Sequence, residues 1–321
     1  MGTPSSEPGC LTREFSRSPR AVLAALIWLA SLAGCNTSEP AEAARPASVD
    51  QRTQALSDDN GLSYNGLSYN GLSYNGLSYN GLSYNGLSNQ DFATWFQGDP
   101  ALADQVMLYI ARCAMPAGQT LTYTDPQSSQ TYSWDGGLGL APSWSSGNPA
   151  TVQEQQVITA CLMAHTNKYQ QHVAISVQGR DANSQQIPTS SAELSEFSRR
   201  EACFFGNLFN DEGMYVGLDR GDFSEIESTS RACALTPLEE DGISNCPPMI
   251  HIGSCSTACS LDSSLNYYKT CMQNGITYLP ITTRLRPEDV FTCGDGVCQV
   301  SESCGNGAQY YNCGADCGAC P

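Results

Sequence analysis

Fourteen cysteines stand between Cys113 and Cys320, and no other feature constrains this chain as tightly. Cys113, Cys161, Cys203, Cys233, Cys246, Cys255, Cys259 and Cys271 are spread through the middle. Cys293, Cys298, Cys304, Cys313, Cys317 and Cys320 crowd into the C-terminal end. An even set of this kind in an exported chain reads as a disulfide framework. The expectation is seven bonds, four within Cys113–Cys271 and three within Cys293–Cys320. Zinc is the competing reading at Cys317-Gly-Ala-Cys320 and Cys255-Ser-Thr-Ala-Cys259. Neither site has a matching second pair, and an oxidising compartment favours disulfides. So short a C-terminal segment cannot bury a sufficient core, so its cysteines have to hold it.

The N-terminal end supplies the export signal that this reading needs. Arg13, Arg17 and Arg20 flank an apolar run, Ala21–Ala33, interrupted only by Ser31. A membrane-spanning helix needs about 20 apolar residues, so the run is too short to be one and fits a leader. Leu32-Ala33-Gly34-Cys35 then resembles the lipobox of bacterial lipoprotein signals. The resemblance implies that residues 1–34, with Cys10, are removed and that Cys35 becomes the lipidated N-terminus. Several acyl chains on one residue suffice for stable anchoring. Asn36 replaces the Asp that retains such proteins at the inner membrane, so the implied location is the cell envelope, at the outer membrane. Cleavage without lipid is the alternative.

Charge narrows the partners. The chain has 15 Lys and Arg against 32 Asp and Glu, a net charge of −17. Loss of the leader, with Arg13, Arg17, Arg20, Glu7 and Glu14, leaves it one unit more negative. Such a surface repels nucleic acid and anionic headgroups. The membrane is therefore a partner through the lipid on Cys35, not through the protein surface.

Residues 35–59 are rich in Ala, Ser, Pro, Glu and Asp without apolar periodicity, which reads as a disordered tether. Residues 60–89 repeat Asn-Gly-Leu-Ser-Tyr five times, from Asn60 to Tyr84, and Asn85-Gly-Leu-Ser88 is a truncated sixth copy. A period of five fits neither helix nor strand, and Asn-Gly is a strong turn signal. The array differs from pentapeptide-repeat proteins in having Asn where they carry Ala, and it is too short to bury a core by itself. It reads as a spacer or stalk. The alternative is a tyrosine-studded adhesive segment for glycan or self-association.

Residues 90–290 form the expected globular body, of α+β class because helices and strands do not alternate as βαβ units. Asp91 and Asp99 read as helix caps. Ala101–Cys113 carries Leu102, Val106, Met107, Ile110 and Cys113 on one helical face. Leu121–Thr124 and Thr131–Trp134 read as a hairpin, Thr151–Lys168 as a second amphipathic helix, and His172–Val177 and Met214–Leu218 as strands. Beyond Ser228 the chain reads as loops held by cysteines.

Residues 291–321 form a separate small module. Cys293-Gly-Asp-Gly-Val-Cys298, Glu302-Ser-Cys304 and Asp316-Cys317-Gly are similar to the cysteine-rich repeats of secreted bacterial proteins, with a longer insertion between Cys304 and Cys313. The resemblance implies calcium in some relatives. Asp295, Glu302 and Asp316 are the hard oxygen donors that would take it. The alternative is that they cap turns.

Catalytic signals are sparse. There is no Gly-x-Ser-x-Gly elbow, His-Glu-x-x-His or phosphate-binding glycine loop. Of the three histidines, His165 stands four residues after Cys161, a spacing that suits a thiolate–imidazolium pair but also a disulfide beside a core histidine. His165, His172 and His251 could meet around a metal. The acids Asp211, Glu212, Asp219, Asp222, Glu225, Glu227, Glu239, Glu240 and Asp241 read as a solvated face. Arg220-Gly-Asp222 spells an adhesion tripeptide of low specificity. The layout of lipobox, Asn-Gly-Leu stalk, body and cysteine-rich tail is similar to exported lipoproteins of multicellular soil bacteria. The expectation is a cell-envelope lipoprotein with a binding or structural role, whose partner is a protein or glycan at the cell surface. The alternative is an exported hydrolase or metal-dependent enzyme acting through the body.

Overall fold

The computed structural model describes residues 57–62, 75–168, 172–219, 221–224, 227–229, 231, 246–306 and 312–320. The leader, Cys35, the tether as far as residue 56, the repeat copies at 63–74 and Cys233 lie outside the described residues. The chain is α+β with several disulfides. In order it forms β1 (Ser57–Asn60), the single turns α1 (Leu77–Asn80) and α2 (Tyr84–Leu87), and helices α3 (Gln90–Gly98) and α4 (Pro100–Ala114). Next come β2 (Thr120–Thr124), β3 (Thr131–Asp135), the turn α5 (Pro142–Ser145), α6 (Val152–Ala164), β4 (Val173–Gly179) and α7 (Ser191–Glu196). The rest is β5 (Arg199–Asn207), β6 (Gly213–Leu218), β7 (Glu227–Thr229), β8 (Ile250–Ser254), β9 (Cys259–Leu261), β10 (Tyr268–Gln273), β11 (Ile276–Tyr278), β12 (Ile281–Leu285), β13 (Val290–Thr292) and the turn α8 (Gly314–Cys317).

The main sheet runs β1-β4-β12-β5-β6-β8. All neighbours are antiparallel except β6 and β8, which are parallel. Both faces of its centre are covered, and strand alternation divides the residues between two cores. On β5, Ala202 and Phe204 face one core while Cys203 and Phe205 face the other. On β6, Met214, Val216 and Leu218 join the first core and Tyr215 the second. The first core lies under α4 and α6. The second lies against the small sheet β11-β10-β9 and contains Cys203, Cys255, Cys259 and Cys271.

Helix α6 is not amphipathic as expected but buried nearly all round, from Val157 through Ala164, because it lies within the first core. It starts in a capping box: the Thr151 hydroxyl accepts from the Glu154 amide, and the Glu154 carboxylate accepts from the Thr151 amide. It ends at Ala164 rather than at the expected Lys168. Beyond it the chain turns to meet the repeat: the Leu62 amide donates to the His165 carbonyl at 3.1 Å, and the Asn167 amide donates to the Leu62 carbonyl at 3.0 Å. The two expected caps also divide. Asp99 caps α4 by accepting from the Leu102 amide, with Pro100 in the first turn. At α3 the cap is Asn89, which accepts from the Asp91 amide, and not Asp91 itself.

The repeat departs furthest from expectation. Where described it is not a free spacer but part of the body. Leu62, Leu77, Leu82 and Leu87 are at most 2% exposed and belong to the same core as Phe92, Trp144 and Val106. Burying a leucine stabilises by about 1.5–3 kcal/mol, so the leucines outweigh the weak turn preferences of the intervening residues. The backbone is tied in as well. The Leu82 amide donates to the Trp144 carbonyl at 2.9 Å, the Trp144 indole donates to the Leu77 carbonyl at 2.8 Å, and the Ala150 amide donates to the Ser78 carbonyl at 3.0 Å. Gly81 lies at φ +78°, and a Cβ there would collide with the Gly147 backbone. Among the described residues of the repeat the leucines thus point inward, Gly81 lies where chains meet closely, and Tyr79 and Tyr84 are exposed.

Six disulfides join described cysteines: Cys113–Cys161, Cys203–Cys255, Cys259–Cys271, Cys293–Cys313, Cys298–Cys317 and Cys304–Cys320. Cys246 is also disulfide-bonded, to a residue outside the described ones. Among the described residues no helix is long and apolar enough to cross a membrane.

Candidate functional site

A cleft of about 370 Å³ opens where the end of the repeat meets the β2–β3 hairpin. Tyr84, Leu87 and Ser88 form one wall, Gln90 and Ala93 of α3 the back, and Thr122, Tyr123, Thr124 and Pro126 the other wall. Volumes of this order hold a small molecule or the end of a chain. No lining side chain is ionisable near neutral pH.

The hairpin wall is fixed by its own chemistry. β2 and β3 pair from Thr120↔Asp135 to Thr124↔Thr131. The Asp125 carboxylate closes the turn, accepting from the Gln127 and Ser128 amides, the Ser128 hydroxyl and the Gln97 side chain. The hydrogen bonds from Ser128 and Gln97 dominate and hold the Asp125 pKa down to about 2. Behind the hairpin, Phe92 meets Tyr123 edge-on at 4.9 Å and Phe96 meets Tyr132 at 4.7 Å. Trp134 anchors the cluster by donating to Asp104 at 2.7 Å.

Tyr123 is therefore almost wholly buried, and its hydroxyl has no hydrogen-bond partner. Burial, then the charge of Asp125, then Tyr132 push its pKa up to about 12, so the phenol keeps its proton. Across the cleft Tyr84 is 78% exposed. The sequence signal for this pairing was partial. The repeat presents its tyrosines as a candidate adhesive feature, but nothing in the sequence joins Tyr84 to a hairpin almost forty residues away.

The histidines are not among the residues lining the cleft, and no group of potential metal ligands among the described residues holds more than one of them. His165 is buried on the Cys113–Cys161 disulfide, with its Nδ1 3.8 and 3.7 Å from the two sulfurs and 2.8 Å from the Cys161 carbonyl. The bond between Cys161 and Cys113 removes the thiolate that a Cys161–His165 pair would need. His172 is exposed near Gly61 and Tyr109, and His251 accepts from the Gly253 amide at the sheet edge.

Of the acids read as a solvated face, Asp211 is exposed and Glu212 half-buried, whereas Asp219, Asp222 and Glu227 are held by arginines. Asp219 is buried and meets Arg200 at 2.7 Å, and Arg199 joins Glu227 at 3.1 Å. Asp222 accepts from the Arg200 amide, so the acid of the Arg220-Gly-Asp222 tripeptide is held within the chain. The local excess of acid is answered by arginines that β5 brings alongside. Deeper, Arg231 and Glu201 form a fully buried pair at 3.0 Å, with Thr229 and Thr283 completing the carboxylate's bonds. Arg220, Glu225, Glu239, Glu240 and Asp241 lie outside the described residues.

In the C-terminal module Asp316 accepts from the amides of Gly294 and Gly296, Asp295 from the Val297 amide and the Gln299 side chain, and Glu302 from the Gln299 amide. All three act as turn caps. Burial, opposed by the bond from Gln299, raises the Glu302 pKa, and the charges of Asp316 and Asp295 add to it. Among the described residues, potential ligand atoms come within 4.8 Å in Cys113/Cys161/His165, Cys203/Cys259/Cys271 and Cys293/Cys313/Asp316, and every cysteine in these groups is in a disulfide. Comparison of the chain with protein-family models, curated proteins and solved structures returned no match.

Proposed function

We propose that this chain is a cell-envelope lipoprotein, anchored through Cys35, whose body binds a partner at the cell surface. The observation that carries the binding role is the neutral cleft between the repeat and the β2–β3 hairpin. It is concave, rimmed by an exposed aromatic ring and backed by an aromatic cluster, and its lining includes no histidine and no member of the described ion pairs. The anchor is carried by Leu32-Ala33-Gly34-Cys35 after the Ala21–Ala33 run. On this reading a preformed recognition surface stands on a tethered body at the outer membrane. The experiment is metabolic labelling with a fatty acid in cells making the parent chain and Cys35→Ser. The parent takes up label and fractionates with membranes, while Cys35→Ser does neither. Labelled Cys35→Ser protein would overturn the anchoring.

A further inference from the structure

We infer that the cleft between the repeat and the hairpin binds a neutral, hydroxyl-rich glycan chain, with the Tyr84 ring as its stacking platform; the inference rests on the binding role proposed above. Three observations point to this ligand class. The first is charge. The chain carries a net −17, yet the cleft lining is uncharged, so it offers an ionic ligand no counter-charge. The second is the mixture of surfaces. A sugar ring presents a face of C–H bonds and a rim of hydroxyls, and it needs an aromatic plane beside short, neutral donors and acceptors. Tyr84 gives the plane at the cleft mouth, and Ser88, Gln90, Thr122 and Thr124 give the neutral groups around it. A lipid chain would favour a lining without these hydroxyls.

The third is Tyr123. Its ring is clamped by Phe92 and Phe96, so it cannot swing out to water, and its hydroxyl is buried without a partner. A buried unpaired hydroxyl destabilises the free protein. A ligand hydroxyl reaching that wall would satisfy it. The same group would then be a liability in the empty protein and an asset in the complex.

The test is isothermal titration calorimetry of the full chain in detergent with neutral cello-, chito- and manno-oligosaccharides. An anionic polygalacturonate fragment and a proline-rich peptide are run in parallel. At least one neutral series should bind, with affinity rising with chain length over the first few sugars. Tyr84→Ala should weaken that binding about tenfold or more, the scale of losing one aromatic anchor. Tyr123→Phe should weaken binding while raising the melting temperature, a pairing that a merely structural residue would not give. Tyr79→Ala, one copy earlier and equally exposed, should leave affinity unchanged. No binding of any neutral series, or preference for the anionic fragment or the peptide, would overturn the ligand class. Glycan binding that Tyr84→Ala leaves intact, or that Tyr79→Ala weakens equally, would overturn the cleft as its site while leaving the binding role standing.

Discussion

Leu77 and Leu82 are buried among Phe92, Val106 and Trp144, whereas between Cys293 and Cys320 the only buried residues among those described are Ser301 and Cys313. The described end of the repeat is locally weak, two single helical turns joined through Gly81, yet it is ordered because Leu77, Leu82 and Leu87 enter a core built by other elements. The C-terminal module has no such core, and three disulfides hold it across sequence separations of 16 to 20 residues. The second core, beneath β9–β11, lies between these extremes, with aromatic rings packed around two disulfides. Apolar burial and cross-linking substitute for one another along a single chain. The cysteine-rich end looks constrained in sequence and is, whereas the repeat looks unconstrained and is not.

Reduction should break this comparison most visibly. With a thiol reductant, the amides of 293–320 should lose their protection from hydrogen exchange entirely, because removing native disulfides from so small a unit costs about 2–5 kcal/mol for each. The amides of α4 and α6 should stay protected. Retained protection in the reduced module would show that something other than cross-links orders it.

Leucine truncation gives the next largest effect. Leu77→Ala or Leu82→Ala should destabilise the body by about 2–5 kcal/mol in urea unfolding, the range for buried leucines. Tyr79→Ala in the same copy should change it by less than about 0.5 kcal/mol. Equal effects would mean that the inward and outward positions of the repeat are not distinct. Gly81→Ala should destabilise through backbone collision with Gly147 and through its positive φ, by about 1 kcal/mol or more. A neutral result would place the repeat away from the 142–150 loop.

The hairpin wall of the cleft should carry the smallest, pH-dependent effect. The Asp125 pKa is held to about 2 in the folded chain, below the usual carboxylate value of about 3.9. Its contribution to stability is thus fully present above that ordinary value and is lost as pH falls towards 2. Melting temperature measured between pH 5 and 2 should fall less steeply in Asp125→Asn than in the parent. Parallel curves would show that the turn does not depend on the ionised carboxylate.

Much of this architecture was legible residue by residue. The face of α4, the cap at Asp99, the start of α6, the β2–β3 hairpin and strands β4 and β6 all follow periodicities of 3.6 or 2 with standard caps and turns. The central strands β5 and β12 were not legible. Arg199-Arg200-Glu201 and Arg284 look like surface, because their charges are paired only once the fold is made: Glu201 meets Arg231, and Arg284 donates to the Phe197 and Ser198 carbonyls. The run Ala202-Cys-Phe-Phe205, ending at Gly206, was the available signal. For the repeat there was none, since one leucine in five fits neither template and its partners are supplied from elsewhere in the chain. The cleft inherits that gap, as it exists only where the repeat meets the hairpin.

The claim that the repeat belongs to the folded body is tested most directly by native-state hydrogen exchange on the unaltered chain, read at Gly81, Leu82 and Leu87. Their amides donate to Leu77, Trp144 and Ser83. Protection approaching that of the α6 amides is the predicted result. Exchange at the rate of a free coil, with α6 still protected, would return the repeat to a spacer and leave the cleft without one of its walls.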